Sequence, residues 1–415
     1  MLQRLPVDSR LLRLLMAGVA AVVPVTLAAQ AGDADVIARA RAIHQRVLTL
    51  DTHDDINPAY FTPACNYTMR LTTQVNLPKM QEGGLDVSFM IAYVGQGPLT
   101  PEGYADAYRQ AIAKFDAVHR LTEQIAPGQI GLALTPADVL RVAESGRKVA
   151  VIGIENAYPI GTDLSRVREF YDRGGRYMSL AHNGHNQLSD SNTGEATHDA
   201  PNGGISPLGR AVIAEMNRLG MMVDVSHPSK ASMMQAVTLS KAPVIASHSA
   251  VRALTDHSRN LDDEQLLALK KNGGVVQVVG FSSYVTPRPT AAAPGGAGRR
   301  GRGAGENAVA GCPVESPGAA PPPSVSGRAS VADLVNHIDY AVKLIGIDHV
   351  GISSDFDGGG GIDGWNSAAE TFNVTLELVR RGYSEQDIAK LWSGNLLRVW
   401  RDVETVAHRL QQEAR

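Results

Sequence analysis

Cysteine is almost missing from this chain. Only Cys65 and Cys312 occur in 415 residues. Two thiols cannot build a disulfide framework or a cysteine-rich zinc site. One bridge is the most they can form, and it needs an oxidising compartment. An excess of charge of either sign is missing too. Lys and Arg number 39 against 42 Asp and Glu, a formal net charge of -3. That balance gives no general footprint for nucleic acid. No glycine-rich phosphate turn follows the first apolar run, which argues against an open dinucleotide-binding sheet. The C-terminus, His408 to Arg415, has no hydrophobic tail for a lipid anchor. There is no internal repeat beyond an alternation of apolar runs and helical stretches.

One long uncharged run does exist, at the N-terminus. Arg4, Arg10 and Arg13 precede the stretch from Leu14 to Ala31, which ends in Ala29-Gln30-Ala31 before Asp33 and Asp35. This pattern reads as a signal peptide over residues 1–31, cleaved near Ala31, and implies export to the periplasm or the medium. The alternative is an uncleaved anchor, but the run is barely long enough to span a bilayer and contains Pro24. No Cys stands at the junction to be acylated, so no stable anchor is expected after cleavage. The remainder, residues 32–415, is long enough for one large α/β domain or two ordinary ones.

Eight apolar runs read as strands. They are Val47 to Leu50, Leu85 to Val94, Val149 to Ile154, Tyr177 to Ala181, Met221 to Ser226, Pro243 to Ser247, Gly274 to Val279 and His349 to Ser354. Helical periodicity marks Asp35 to Arg46, Asp106 to Gln124, Leu164 to Asp172, Pro207 to Leu219, Asp262 to Lys271, Ser330 to Leu344 and Ser384 to Val406. Strands alternating with helices call for a parallel sheet. Eight units close a (β/α)8 barrel of the TIM type, with the doubly wound open sheet as the competing architecture. Thr286 to Arg328 breaks the pattern. It is dense in Pro, Gly, Ala and Arg, with too few apolar side chains to offset the entropy of ordering. We expect a disordered insertion after the seventh strand, acting as a solvated linker. Its arginines leave contact with RNA or an anionic surface as a second option.

The ends of these runs carry the chemistry. His53 and Asp55 follow the first, Glu155 the third, His182 the fourth, His227 the fifth, His248 the sixth and Asp355 the eighth. In a barrel all C-terminal strand ends open on one face, so the seven side chains should converge. His53 and Asp55 sit two apart and point the same way in extended chain, forming half of a site for Zn²⁺ or a similar divalent ion. His227 and His248 are suited to a second ion, and Glu155 can bridge the two through its two oxygens. Water held between two such ions loses a proton near neutral pH and becomes a nucleophile. His182 is then free to stabilise an oxyanion and Asp355 to shuttle protons. Asp51, Asp54 and Asp224 are candidates to orient the imidazoles. Asp54 facing solvent and Asp224 buried across its strand are the alternatives. His44, His119, His337 and His408 fall in helical stretches and are expected at the surface.

In order along the chain, Asp51-Thr52-His53-Asp54-Asp55, Asn76-Leu77-Pro78-Lys79-Met80, Gly174-Gly175-Arg176-Tyr177, Val223-Asp224-Val225-Ser226-His227, Ser247-His248-Ser249, Arg259-Asn260 and Ser354-Asp355-Phe356-Asp357-Gly358 resemble the renal or membrane dipeptidase family. Those are binuclear zinc peptidases with an amidohydrolase-type barrel. The resemblance covers nearly all of residues 32–415. It implies that His53, Asp55 and Glu155 hold one zinc and Glu155, His227 and His248 the other. It further implies that His182 contacts the reacting carbonyl, Asp355 handles the proton and Arg259 pairs with the C-terminal carboxylate of a dipeptide. The role of Arg259 comes from the resemblance alone. Asn156 departs from the Gly that many members carry after the bridging Glu. A barrel hydrolase acting on lactams or other cyclic amides, and a metal-binding homologue without catalysis, are the other readings. A homodimer is allowed for.

Overall fold

The structure is a computed structural model that describes residues 22–286, 311–316 and 328–414, with side chains from Gly32 onward. Its centre is a parallel barrel. The strands are β1 (Leu50–Asp55), β2 (Val87–Tyr93), β3 (Ile130–Leu132), β4 (Lys148–Glu155), β5 (Gly175–Ser179), β6 (Met222–Asp224), β7 (Ile245–Ser249), β8 (Val275–Val279) and β9 (Val350–Ser353). They pair in the order β1-β2-β4-β5-β6-β7-β8-β9. The Asp55 N–H donates to Phe356 O (2.8 Å) and brings β9 back to β1, so the barrel is nearly closed. β3 is an extra strand. It pairs only with the first residues of β4, where β5 has not yet begun.

All eight expected runs are barrel strands, shifted by a few residues. The largest shift is in β1, which carries His53 and Asp55 within the strand rather than after it. Apolar patterning ends a strand at the first polar residue, but these polar groups face the barrel mouth and keep extended backbone. The short β3 and the helices Leu77–Gly83, Pro136–Glu144, Lys230–Leu239 and Phe372–Arg380 were not foreseen. Three of these helices bear N-cap signatures, with Asn76, Thr135 and Ser229 each accepting from the backbone three residues on.

Inside the barrel, Leu50, Val87, Phe89, Val151 and Met222 form one core with the helix Asn395–Glu413. That helix buries Leu396, Val399, Trp400 and Val403 on one stripe, a helical spacing. Trp400 meets Phe89 edge-on at 6.2 Å. The helix thus packs on the interior core, and the C-terminal strand ends are left for the site.

Two expectations about the periphery change. The insertion is anchored where it is described. Cys312 forms a disulfide with Cys65, with the Cα atoms 5.4 Å apart. Thr72 N–H donates to Pro313 O (2.7 Å) and Glu315 N–H to Arg70 O (2.9 Å). The Glu315 carboxylate also pairs with Arg70 at 2.8 Å and Lys79 at 2.5 Å. Average composition over forty-odd residues hid this short segment, and residues 287–310 and 317–327 lie outside the described residues. His44 and His337 are buried, not at the surface. His44 bonds Thr375 Oγ1 (2.7 Å) and Gly83 O (2.8 Å), which replace water for its ring. The leader expected over residues 1–31 falls largely outside the described residues; the helix Val22–His44 runs through Ala31. No helix among the described residues is long and apolar enough to cross a membrane.

Candidate metal centre

Backbone irregularities aim the side chains. The β1–β2 register shifts between Asp51 and Asp54, around His53. The β7–β8 register shifts between Ala246 and Ser249, around His248. Such bulges re-aim a side chain that regular pleating would send elsewhere. Asn156 (φ 69°), beside Glu155, and Asp355 (φ 58°), after β9, adopt the left-handed region. Asn tolerates that region better than most residues other than Gly, which lets it stand directly after Glu155.

The seven residues come together. Glu155 is at the centre, 3% exposed. Its Oε1 lies 2.9 Å from His227 Nε2, 3.2 Å from His248 Nε2 and 3.8 Å from His182 Nε2. Its Oε2 lies 3.5 Å from His53 Nε2. The triplets His53-Glu155-His248, Glu155-His182-His227 and His53-Asp55-Asp355 each bring ligand atoms within 4.8 Å of one another. A cavity of about 270 Å³ opens over them, lined also by Tyr93, Asn183, Arg259, Phe281 and Tyr284.

The outer nitrogens of the imidazoles are held by neighbours. His53 Nδ1 meets Tyr177 Oη at 2.9 Å, and His227 Nδ1 meets Asn183 Oδ1 at 3.2 Å. His248 Nδ1 meets Ser247 Oγ at 2.8 Å, and Ser247 donates to Asp224 Oδ2 at 2.7 Å. Asp224 therefore acts on His248 only through Ser247. Asp51 and Asp54 do not orient imidazoles. Asp51 accepts from the N–H groups of His53 (3.2 Å) and Ser354 (3.0 Å), and Asp54 accepts from Ser88 (2.5 Å) and Ser354 Oγ (3.2 Å). They knit β1 to its neighbours. Tyr93, Tyr177, Asn183 and Tyr284 were missed because Tyr within an apolar run reads as core, and a loop Asn or Tyr carries no spacing signal.

Electrostatics favour added positive charge. Burial, then the Glu155 charge, push Asp55 up to about 6. Burial also lifts Asp355 well above the carboxylate range; His53 opposes this, and Asp55 and Glu155 add to it. For Glu155 burial acts upward too, but His182, His53 and His227 together hold it well below its ordinary value. Burial lowers His53, yet Glu155, Asp355 and Asp55 carry it up to about 10. Burial brings His182 down to about 4 and takes His227 and His248 well below their ordinary value.

The donor set fits divalent ions. His53 Nε2 and Asp55 Oδ1 are buried with no hydrogen-bond partner. His227 Nε2 and His248 Nε2 face each other at 3.0 Å. Each ring gives its Nδ1 proton away, to Asn183 Oδ1 and to the Ser247 oxygen committed to Asp224. Two opposed lone pairs at that distance repel unless a cation lies between them, and imidazole with carboxylate is a donor set for such a cation.

Arg259 is 2% exposed and reaches the cavity wall. Its Nη1 donates to Ser226 O and its Nη2 to His248 O at 3.1 Å. Its guanidinium lies 5.5 Å from the Tyr284 ring centre.

A parallel β/α barrel whose strand ends gather imidazoles and carboxylates in one cavity defines a metal-dependent hydrolase. Residues 37–414 match the model of the membrane dipeptidases, peptidase family M19, and the chain belongs to that family. It is a metallo-dipeptidase. It is 34% identical over 342 residues to dipeptidase aclJ of Aspergillus oryzae, covering 81% of this chain and 72% of that one. The probable dipeptidase PvdM of Pseudomonas aeruginosa is 34% identical with a TM-score of 0.76, covering 90% of this chain and 99% of that one. A metallopeptidase of Rhodobacter sphaeroides, solved with a phosphinate mimic of L-Ala-D-Ala, shares the fold at 23% identity and a TM-score of 0.68, over 86% of this chain and 99% of its own.

Proposed function

We propose that the chain hydrolyses the peptide bond of dipeptides with two divalent ions, zinc being the best match to its donors. The observation that carries this is the approach of four imidazole Nε2 atoms to the buried carboxylate of Glu155, between 2.9 and 3.8 Å. His53 and Asp55 would hold one ion, His227 and His248 the other, and Glu155 both. Bound ions supply Lewis acidity and an activated water.

The other residues position substrate and protons. Tyr93 Oη lies 3.3 Å from His182 Nδ1. If Tyr93 donates there, His182 keeps its proton on Nε2 and offers it to the carbonyl oxygen of the scissile bond. Burial supports the neutral ring this needs. Asp355, at the cavity edge beside Asp55, takes a proton and passes it to the leaving amine. Arg259 meets the C-terminal carboxylate, a match for a guanidinium. Its Nε is buried without a partner.

We also propose that the chain is exported. The leader pattern motivates this, and the Cys65–Cys312 disulfide supports an oxidising compartment.

Metal analysis of purified protein should find about two divalent ions per chain, as binuclear hydrolases hold. His227→Ala should remove one. A dipeptide panel should be cleaved in preference to cyclic amides. A single tightly held ion that His227→Ala leaves in place would refute the shared role of Glu155. Cleavage of lactams alone would refute the substrate assignment.

A further inference from the structure

We propose that Tyr177 is a positioning residue for metal binding: its hydroxyl holds the His53 proton on Nδ1 and so turns the Nε2 lone pair into the cavity. This rests on the reading of His53 as a ligand.

Tyr177 lies fully buried among the apolar side chains of the barrel interior. Its place depends on Gly153, its partner across β4 and β5. A Cβ on Gly153 would stand 2.4 Å from Tyr177 Cζ, so any larger residue displaces the ring. A phenol enclosed in this way must find partners within the protein, because an unpaired hydroxyl in an apolar core is costly. Its oxygen lies 3.0 Å from Thr52 O and 2.9 Å from His53 Nδ1.

One proton arrangement satisfies every contact of this hydroxyl. Thr52 O only accepts, so Tyr177 spends its single proton there. The other hydroxyl at hand, Ser247, gives its own proton to Asp224 Oδ2 at 2.7 Å and has none to offer. His53 Nδ1 must therefore be the donor to Tyr177. In the neutral ring this puts the lone pair on Nε2, the buried atom 3.5 Å from Glu155 Oε2 that has no hydrogen-bond partner. Thr52 and His53 are neighbours in β1, so one hydroxyl fixes both the strand and the ring. Phenylalanine would fill nearly the same space. It would leave His53 free to carry its proton on either nitrogen, and only one of those tautomers can ligate.

The test is zinc affinity by chelator competition on metal-stripped full-length protein, for wild type, Tyr177→Phe, Gly153→Ala and His53→Gln. Tyr177→Phe should weaken one of the ions by about 10–100-fold and spare the other, the usual effect of losing a group that holds a ligand imidazole. Gly153→Ala, which keeps the hydroxyl but moves it, should do the same. If Tyr177→Phe does not fold, zinc-loaded wild type labelled with ¹⁵N-histidine decides. The His53 signals, assigned by their loss in His53→Gln, should show a solvent-protected proton on Nδ1. A proton on Nε2, or a Tyr177→Phe protein that binds both ions like wild type while His53→Gln loses one, overturns the proposal alone. If His53→Gln keeps both ions, the ligand reading fails and the proposal falls with it.

Discussion

At the scale of single residues, burial decides which polar groups matter, and Arg259 is the sharpest case. A dipeptidase must measure length, and a cation placed to meet the terminal carboxylate does so. A longer peptide would put a neutral amide against a desolvated guanidinium. Arg259→Ala should cost roughly 2–5 kcal/mol in kcat/KM for a free dipeptide, the range for truncating one partner of a buried charge pair. Arg259→Lys should recover only part, because a point charge lacks the planar fork. Comparing a dipeptide with its C-terminal amide checks this; a free-acid preference undiminished in Arg259→Ala would return the residue to bracing Ser226 and His248. His337 makes a different prediction. Its Nδ1 accepts from Val251 N–H (3.0 Å) and its Nε2 donates to Val285 O (3.1 Å), which requires the neutral ring. Burial lowers it from 6.5 to about 4. A depressed folded value means the unfolded chain binds the proton first. The stabilisation is thus complete above pH 6.5 and drains away as the pH falls toward 4. At 1.36 kcal/mol per unit this is on the order of 3 kcal/mol. Urea midpoints at pH 7 and 4.5 should differ less in His337→Gln than in wild type, and an equal difference in both would reject the assignment.

At the scale of elements, short irregular pieces do the positioning. The bulges around His53 and His248 and the left-handed residues Asn156 and Asp355 lie at or beside site residues. The loop after β1 is a second example. It is bonded to Asp357, whose carboxylate accepts from Gln74 N–H at 2.9 Å and Val75 N–H at 3.2 Å. The same loop is tied to residues 311–316 by the disulfide, which closes a separation of 247 residues. Constraining so long a loop in the unfolded chain is worth roughly 2–5 kcal/mol. The double variant Cys65→Ser/Cys312→Ser should lose stability in that range by denaturant titration. Wild type under a reductant should match it. Unchanged stability in both would mean that the ion pairs of Glu315 suffice to hold the segment.

At the scale of the whole molecule, folding concentrates three carboxylates and four imidazoles at one barrel mouth, against a core that offers them little solvent. Burial pushes both Asp55 and Asp355 up; Glu155 adds to the rise of Asp55, and Asp55 and Glu155 add to that of Asp355. A cation that binds only the folded state relieves this crowding and stabilises the fold by mass action. The gain is about 4 kcal/mol at a thousandfold excess over Kd. Chelation should therefore lower Tm, and added Zn²⁺ should restore it in a concentration-dependent way. A Tm indifferent to chelator and zinc would show that the cluster does not bind metal.

Much of this was legible in the amino-acid order. Strand periodicity and the recurrence of His, Asp or Glu at strand ends survive any detail of packing, because in a parallel barrel the end of a strand is always the same face. That reasoning reached the eight barrel strands and the convergence of His53, Asp55, Glu155, His182, His227, His248 and Asp355. What it missed depends on contacts between distant residues. Tyr177 looks like one more apolar strand residue until Gly153 makes room for it and His53 arrives beside it from another strand. Asp51 and Asp54 share the motif of His53, but β1 carries them to Ser354 and Ser88 rather than to an imidazole. Cys312 sits in a segment whose composition argues for disorder, and only the fold brings it to Cys65. Local pattern determined which elements form and which ends carry chemistry. The tertiary structure decided which groups lose water together, and hydrogen-bond partners and proton positions follow from that.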